Sequence, residues 1–274
     1  MTAKVTRPLL LMGCGKMGGA MLDGWLASKM AVGGIVIVDP TGTPQYQGRD
    51  EISIYRDAND VPANLNPQVI ILAVKPQQMD QALAAYVKYV SDDTLFVSIA
   101  AGKTISYFES QLGGDAQIIR AMPNTPAAIS QGITVLCPNA KVSAAQANLA
   151  LDLLRAVGEA ELVQDENMID AVTALSGGGP AYVFHMIECM TQAGIEQGLP
   201  SGLSAKLALV TVAGAGQLAL KSNDQPTQLR INVTSPGGTT FEALNVLMQE
   251  KGGLQDLMTQ AIAAATAKSK ALSH

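Results

Sequence analysis

Histidine, aromatic residues and charged residues are all scarce in this sequence of 274 residues. Of the two histidines, His274 is the last residue and His185 lies in an apolar helical pattern, where we expect a hydrogen-bonded core histidine. No Ser-His-Asp or Cys-His arrangement can therefore be assembled, and no good histidine base is present. Aromatic residues make up 4% of the chain against 48% hydrophobic residues, so the core must be built mainly from aliphatic side chains.

Cysteine and basic residues are also limited. Cys14, Cys137 and Cys189 are widely separated, which gives no metal-ligand spacing, and an odd number of cysteines favours a reducing compartment. The net charge of −5 argues against nucleic acid as a partner. Neither a signal peptide nor an apolar run of membrane length is evident in the sequence. We therefore expect a cytoplasmic protein without a metal, a membrane or a nucleic acid as partner.

A glycine-rich segment near the N-terminus is present in the context that a dinucleotide site requires. Gly13-Cys14-Gly15-Lys16-Met17-Gly18 follows the apolar run 8–12 and precedes a helical pattern, and a second apolar run, 35–38, ends at Asp39. Gly13 would allow a tight turn, Gly15 would admit a pyrophosphate, and Gly18 would let helix and strand pack closely. The pattern predicts a nicotinamide-dinucleotide site.

The acid at the end of the second strand bears on cofactor choice. An acid there normally binds the ribose hydroxyls of NAD and repels the 2′-phosphate of NADP. The residues after Asp39, Pro40-Thr41-Gly42-Thr43, offer no arginine. If Asp39 faces the ribose, NADH should be preferred. A shift of one residue would place Pro40 or Thr41 there and would weaken this prediction.

Strand and helix patterns alternate over residues 1–164, which predicts a doubly wound, Rossmann-like α/β domain. Further strands are predicted at 52–55, 69–74, 95–100, 118–122, 133–136 and 161–163, with helices at 77–89, 104–112 and 143–157. Residues 165–274 carry helical patterns only, at 166–175, 180–197, 201–221, 239–249 and 254–271. These helices are apolar over wide arcs, which predicts an interlocked homodimer rather than the alternative, a compact monomeric bundle.

The segment Ser235-Pro236-Gly237-Gly238-Thr239-Thr240 has the features of an anion-binding helix start. Pro236, Gly237 and Gly238 would end any preceding regular structure, and a helical pattern begins directly after them. The N–H groups of Gly237, Gly238 and Thr239 would then point out of the helix N-terminus, where a small carboxylate is favoured. The alternative is a helix capped by a serine or threonine after a turn.

Polar residues also follow the predicted strands, at the edge where open α/β sheets bind ligands. Lys75 could meet a phosphate or a substrate carboxylate, or be solvated; Asn59 could bond a base or ribose edge, or cap a helix. Without a strong base, the site suits a substrate that is already activated. A protonated imine is one, because it accepts hydride directly at carbon.

The chain resembles the pyrroline-5-carboxylate reductases, the enzymes of the last step of proline biosynthesis, essentially from end to end. The motifs are G-C-G-K-M-G, A-V-K-P (73–76), M-P-N-T-P (122–126), S-G-G-G-P-A-Y (176–182) and V-T-S-P-G-G-T-T (233–240). The resemblance implies NAD(P)H-dependent reduction of the cyclic imine 1-pyrroline-5-carboxylate to L-proline. It also implies an all-helical dimerisation and substrate-binding domain, and dimers often assembled into decamers. Members commonly use NADPH, and some use either cofactor.

The resemblance also implies roles for individual residues. Gly237 and Gly238 would hold the substrate carboxylate, and the Thr240 hydroxyl would hydrogen-bond the ring nitrogen, either as a proton donor or as an orienting group. The predicted substrate-binding residues are Val233, Ser235, Gly237, Gly238 and Thr239. The predicted cofactor-binding residues are Gly13, Gly15, Lys16, Met17, Gly18, Asp39, Asn59, Ala73, Val74, Lys75, Pro76, Ala100 and Asn124. Another imine reductase on the same scaffold, or a non-catalytic dinucleotide-binding regulator, are the alternatives.

Overall fold

The computed structural model describes residues 3–273, which fold into two compact units. One unit extends to Gly177 and also includes the chain from Ala265 onward, and the other is Gly178–Ala264. The first is an α/β unit around a single sheet, and the second contains only helices among its regular elements. The predicted fold class is confirmed.

The first unit is built on an eight-stranded sheet of order β3-β2-β1-β4-β5-β6-β7-β8. Strands β1 to β6 are parallel, β7 runs antiparallel to β6, and β8 is parallel to β7. The strand order reverses between β1 and β4, which creates a crevice at their carboxyl ends. The strands are β1 (Leu9–Met12), β2 (Ile35–Val38), β3 (Ile52–Tyr55), β4 (Val69–Leu72), β5 (Leu95–Ser98), β6 (Gln117–Met122), β7 (Gly132–Pro138) and β8 (Gly158–Leu162).

The central strands are short apolar runs buried on both faces, as a covered parallel sheet requires. Alternate side chains of β1 enter different cores: Leu9 and Leu11 belong to one cluster, and Leu10 and Met12 to the other. Trp25 fills the first cluster, where its Nε1 donates a hydrogen bond to the Leu153 carbonyl (2.9 Å). The sheet is thereby held between two apolar layers.

The helices that cover the sheet are α1 (Lys16–Ser28), α2 (Met79–Leu83), α3 (Ile105–Leu112), α4 (Ala144–Arg155) and α5 (Met168–Val172). The helix predicted at 77–89 is wrong in type, because only α2 is α-helical and 3₁₀ turns flank it at Pro76–Gln78 and Ala84–Tyr89. In a 3₁₀ turn, residues three apart align on one side. Tyr86 and Tyr89 are spaced in this way, and both are buried.

The helical unit contains α6 (Gly179–Glu196), α7 (Ser201–Lys221), α8 (Pro226–Asn232), α9 (Thr239–Leu247) and most of α10 (Leu254–Leu272). The sequence prediction missed α8, a short helix that begins with a proline. Helices α6 and α7 pack closely: the Ser204 hydroxyl donates to the Thr191 carbonyl (2.6 Å), and a Cβ on Gly194 would collide with Ser204.

Most of α7 is nonetheless exposed in the single chain. Leu209, Val210 and Leu220 are 54%, 59% and 79% exposed. Large apolar side chains exposed in this number on one helix are typical of an interaction site. By length and composition alone α7 is apolar enough to cross a membrane, with a mean hydropathy of 1.5, which contradicts the expectation that no apolar run reaches that length.

The compact units do not divide at the predicted boundary of 164/165. Arg120, in the buried strand β6, pairs with Glu166 (Nη1–Oε1 2.8 Å) and lies 3.8 Å from Asp170. Asp170 also accepts a hydrogen bond from Ser269 of α10 (2.6 Å), and Ile169 is fully buried in the second core cluster. Residues before Gly178 and after Ala264 therefore pack with the sheet, although they belong to the predicted helical domain. The boundary stays a prediction.

The Arg120 ion pairs give a test of how the helical segments are attached to the sheet. Arg120→Met keeps apolar volume but leaves the mostly buried Asp170 without its cation, and removing one partner of a buried pair costs about 3–5 kcal/mol. We expect the free energy of unfolding to fall by about 3 kcal/mol in urea denaturation at fixed protein concentration. Arg155→Met is the control, because its side chain is 50% exposed. Equal effects of the two substitutions would contradict the structural role.

Candidate active site

A cavity of about 640 Å³ opens at the carboxyl ends of β1, β2 and β4. This volume lies within the usual range for cofactor sites. Its walls are formed by Met12, Gly13, Gly15, Val38, Asp39, Pro40, Thr41, Arg56, Asp57, Ala58, Asn59, Ala73, Val74, Lys75, Gln78, Gln81, Ala82, Ala85 and Tyr86.

The three glycines of the G-x-G-x-x-G segment have distinct geometries. Gly13 turns the chain at φ +89°, and a Cβ there would lie 2.8 Å from a Val74 methyl group. A Cβ on Gly18 would collide with the Gly13 carbonyl, so helix α1 packs closely on the turn. Apart from the adjoining chain, no protein atom lies within 4 Å of a Cβ position on Gly15. Gly15 is also the N-cap of α1, which no side chain caps, so this space fits an anionic pyrophosphate.

The Asp39 carboxylate is turned into the glycine loop. Its Oδ2 accepts a hydrogen bond from the Cys14 N–H (2.7 Å), and its Oδ1 accepts from the N–H (2.8 Å) and hydroxyl (2.6 Å) of Thr41. Burial alone would raise the pKa of Asp39, but these hydrogen bonds outweigh it and lower the pKa. The preference for NADH was predicted on condition that Asp39 faces the ribose. Asp39 does line the cavity, but protein donors fill three of the about four acceptor positions of its carboxylate, and the preference stays a prediction.

Cys14 is a small filler within this loop, as expected. Burial, together with the charges of Asp39 and Asp23, raises the pKa of its thiol to about 11. The thiol therefore stays protonated at neutral pH and is a poor nucleophile.

Asn59 and Lys75 both line the cavity. Asp57 caps the 3₁₀ turn Ala58–Asp60, and the N–H and side-chain amide of Asn59 donate to its Oδ1 (2.8 and 2.9 Å). Lys75 precedes the 3₁₀ turn that begins at Pro76. Asn59 is thus oriented by Asp57 rather than serving as a cap itself.

Seven of the predicted cofactor residues lie in the cavity walls: Gly13, Gly15, Asp39, Asn59, Ala73, Val74 and Lys75. Within residues 3–273, six do not: Lys16, Met17, Gly18, Pro76, Ala100 and Asn124. Asn124 has a structural role, because its Oδ1 accepts from the Ile133 N–H (2.9 Å). Sequence reasoning missed Arg56 and Tyr86; the position of Arg56 directly after the third strand was the available signal.

The segment before α9 contains the predicted substrate residues. Gly237 adopts φ +67°, and Gly238 is the N-cap of α9 without a side-chain hydrogen bond, so the alternative of a serine or threonine cap is not observed. The Gly238 N–H, expected to be free, donates to the Ser235 carbonyl (3.0 Å). Val233 and Thr240 are exposed. The amides of Gly237 and Thr239 therefore remain as candidates for binding a carboxylate.

His185 is not a core residue of the single chain, contrary to expectation. Its side chain is 74% exposed, and its Nδ1 lies 3.0 Å from Glu188 Oε2 on the next turn of α6. No cluster of three or more His, Cys, Asp or Glu that could hold a metal is present among the residues that the structure describes.

Comparisons with known proteins agree with this architecture. A family described as "Pyrroline-5-carboxylate reductase dimerisation" matches residues 166–272, and one described as "NADP oxidoreductase coenzyme F420-dependent" matches residues 9–102. The Pseudomonas aeruginosa pyrroline-5-carboxylate reductase is 38% identical, over 98% of both chains. The Escherichia coli enzyme is 37% identical, over 95% of this chain and 96% of its own.

Solved structures extend the similarity to the fold. A pyrroline-5-carboxylate reductase from Coxiella burnetii has a TM-score of 0.86 at 33% identity, covering 98% of this chain and 99% of its own. The Plasmodium falciparum pyrroline carboxylate reductase with NADP bound has a TM-score of 0.82 at 29% identity, covering 99% of this chain and 100% of its own.

The sheet, the glycine loop and the cavity define an NAD(P)-dependent oxidoreductase with a helical dimerisation region. More specifically, the chain belongs to the pyrroline-5-carboxylate reductase family.

Gly15 gives a direct test of the dinucleotide site. In Gly15→Val the new side chain would enter open space in the cavity, so the fold should be kept while the pyrophosphate is blocked. We expect cofactor binding to be abolished in a fluorescence titration, with an unchanged melting temperature. Gly19→Ala is the control, because its Cβ would make an ordinary 3.5 Å contact with Tyr46. Unchanged cofactor affinity in Gly15→Val would remove the site assignment.

Proposed function

We propose that this protein reduces 1-pyrroline-5-carboxylate to L-proline with NAD(P)H. The observation that carries the proposal is the glycine turn at the start of α9, in a chain that matches the reductase family nearly end to end. The bound cofactor would supply the hydride. The open space beside Gly15 and the uncapped N-terminus of α1 fit its pyrophosphate.

On the substrate side, the start of α9 would bind and orient the imine. The amides of Gly237 and Thr239, with the helix dipole, would hold the carboxylate, and the missing Cβ atoms let it approach the backbone. Val233 and Ser235 would complete the binding segment, with Gly238 holding its turn. The Thr240 hydroxyl would hydrogen-bond the ring nitrogen. No strong base is required, because a protonated imine already carries the charge that activates its carbon.

On the cofactor side, Gly13, Ala73 and Val74 would shape the wall, while Asn59 and Lys75 would offer polar contacts. Lys16, Met17, Gly18, Pro76, Ala100 and Asn124 stay predicted cofactor-binding residues, although none of them is among the residues that line the described cavity. Gly18 also packs closely on Gly13 and would hold the turn of the glycine loop.

We further propose a homodimer formed through the helical region, with dimers assembled into decamers, in the cytoplasm and without nucleic acid or membrane partners. The match of residues 166–272 to a dimerisation family supports a protein partner for the apolar surface of α7. The net charge of −5 supports the absence of nucleic acid binding. The partner chain, rather than lipid, would then cover Leu209, Val210 and Leu220.

The direct test of the activity is steady-state reduction of pyrroline-5-carboxylate with NADH and NADPH in parallel. Turnover with either cofactor supports the proposal. Cofactor binding without any turnover would favour the regulator, and turnover of only bulkier cyclic imines would favour a different imine reductase.

Thr240 tests the substrate role of the α9 segment. Thr240→Ala should lower turnover by about 10- to 100-fold, the low end for acid–base assistance, because an imine protonated in solution needs less help. Cofactor affinity and melting temperature should stay unchanged, since no side chain caps α9. Thr240→Ser keeps a hydroxyl and should retain most of the turnover. A stable Thr240→Ala enzyme with full turnover would refute the role.

The exposed surface of α7 tests the assembly. Val210→Asp places a charge in the apolar surface and should shift light-scattering mass toward the monomer, because an unpaired charge cannot be buried cheaply in an interface. Val87→Asp is the control, since Val87 is exposed in the α/β unit. An unchanged mass for Val210→Asp, or binding of the wild-type protein to neutral lipid vesicles, would contradict the proposed interface.

A further inference from the structure

We propose that Arg56 binds the 2′-phosphate of the cofactor and makes this enzyme prefer NADPH over NADH. The inference rests on the proposed dinucleotide site and deepens it by naming the residue that selects the cofactor.

The first observation concerns the acid that would oppose a 2′-phosphate. Asp39 is only 8% exposed, and its two carboxylate oxygens accept three hydrogen bonds, from the Cys14 N–H and from the N–H and hydroxyl of Thr41. A ribose with free 2′- and 3′-hydroxyls needs an acceptor that faces the cavity. Asp39 lines the cavity, but protein donors already fill three of the about four acceptor positions of its carboxylate, so little acceptor capacity is left for the ribose hydroxyls of NADH.

The second observation places a cation beside it. Strands β2 and β3 pair in parallel, with Val38 opposite Tyr55 and the Asp39 N–H donating to the Tyr55 carbonyl (3.0 Å). Arg56 is the next residue along β3, so it leaves the sheet directly beside Asp39. Its side chain lines the cavity wall.

The third observation is the path of the Arg56 side chain. A Cβ on Gly42 would lie 3.1 Å from Arg56 Nε and 3.3 Å from Nη2. The guanidinium therefore lies across the loop that follows β2, where Gly42, at φ +77°, leaves room for it. This loop is where Rossmann-like proteins meet the substituents of the adenosine ribose.

The fourth observation is that this guanidinium has no carboxylate partner among the residues that the structure describes. Arg7, Arg49, Arg120 and Arg155 each make an ion pair, whereas none is formed by Arg56. The nearest acid in sequence, Asp57, directs its Oδ1 to Asn59. An exposed arginine in a cavity wall, with its donors unpaired, matches the planar, bidentate geometry that binds phosphate.

These four observations point to one ligand chemistry, a phosphate monoester on the adenosine ribose. A hydroxyl at the same place would gain much less from a guanidinium, because the contact with a phosphate is charge-assisted. The selectivity would therefore depend on Arg56 and not on the acid at the end of β2.

The test is isothermal titration of the wild type, Arg56→Ala, Arg56→Lys and Arg49→Ala with NADPH, NADH, 2′,5′-ADP and 5′-AMP. Arg56→Ala should weaken the binding of NADPH and 2′,5′-ADP by about 10- to 100-fold. The affinity for NADH and 5′-AMP should change by less than about twofold. The NADPH affinity of Arg56→Lys should lie between those of the wild type and Arg56→Ala, because lysine keeps the charge but cannot form the bidentate contact of a guanidinium. Arg49, paired with Glu51 in the loop before β3, is the matched control and should have no effect.

Three results would overturn the inference. They are a wild type that binds NADH as tightly as NADPH, equal losses for both cofactors in Arg56→Ala, and an Arg49→Ala effect as large as that of Arg56→Ala. Failure of the proposed function has a different signature. If the wild type bound neither cofactor, the proposed dinucleotide site would be wrong. If Arg56→Ala still turned over with NADH, the proposed reductase activity would stand and only the cofactor selectivity would be in question.

Discussion

The hydrogen bond from the Cys14 N–H to the Asp39 carboxylate ties the turn after β1 to the end of β2, and the cofactor cavity depends on it. This contact fixes the turn on which Gly13, Gly15 and Gly18 are placed. Because the folded-state pKa of Asp39 is lowered, these bonds stabilise the fold fully above about pH 4, the value for an unfolded aspartate. Their contribution is lost only as pH falls through the lowered pKa, so the loop keeps its form throughout the physiological range.

The two units bury their apolar side chains in different ways. The α/β unit buries its apolar strands between two layers of its own side chains, which leaves the strand ends and their loops for binding. The helical unit buries little of α7, where Ser204 and Ala208 are the buried residues, and it needs a partner to cover the rest. In the proposed homodimer, assembly and folding of this unit would therefore be linked, and its stability would depend on protein concentration.

Much of the fold could be predicted from periodicity, because strands buried on both faces are uninterrupted apolar runs. Strands β2 and β3 have the predicted bounds, and α7 does too. Helix α8 was missed because seven residues carry too little periodic signal. The orientation of Asp39 and the donation of the Gly238 N–H to Ser235 were beyond sequence reasoning, since each depends on which atoms the folded chain brings within 3 Å.

The cofactor side of the site shows why residue identity at one position is weak evidence of specificity. An acid after the second strand selects NADH only if its oxygens face the ribose, and here the Thr41 and Cys14 donors engage both of them. Residues 40–43, directly after Asp39, include no arginine, but the parallel pairing of β2 and β3 brings Arg56 to the same place from the neighbouring strand. Arg56 follows β3, so it lies outside the sequence motif formed by the glycine loop and the acid after β2. In the proposed site, selectivity would follow from the charged group that is left unpaired at the cavity wall, because a guanidinium without a protein partner keeps its donors for a phosphate.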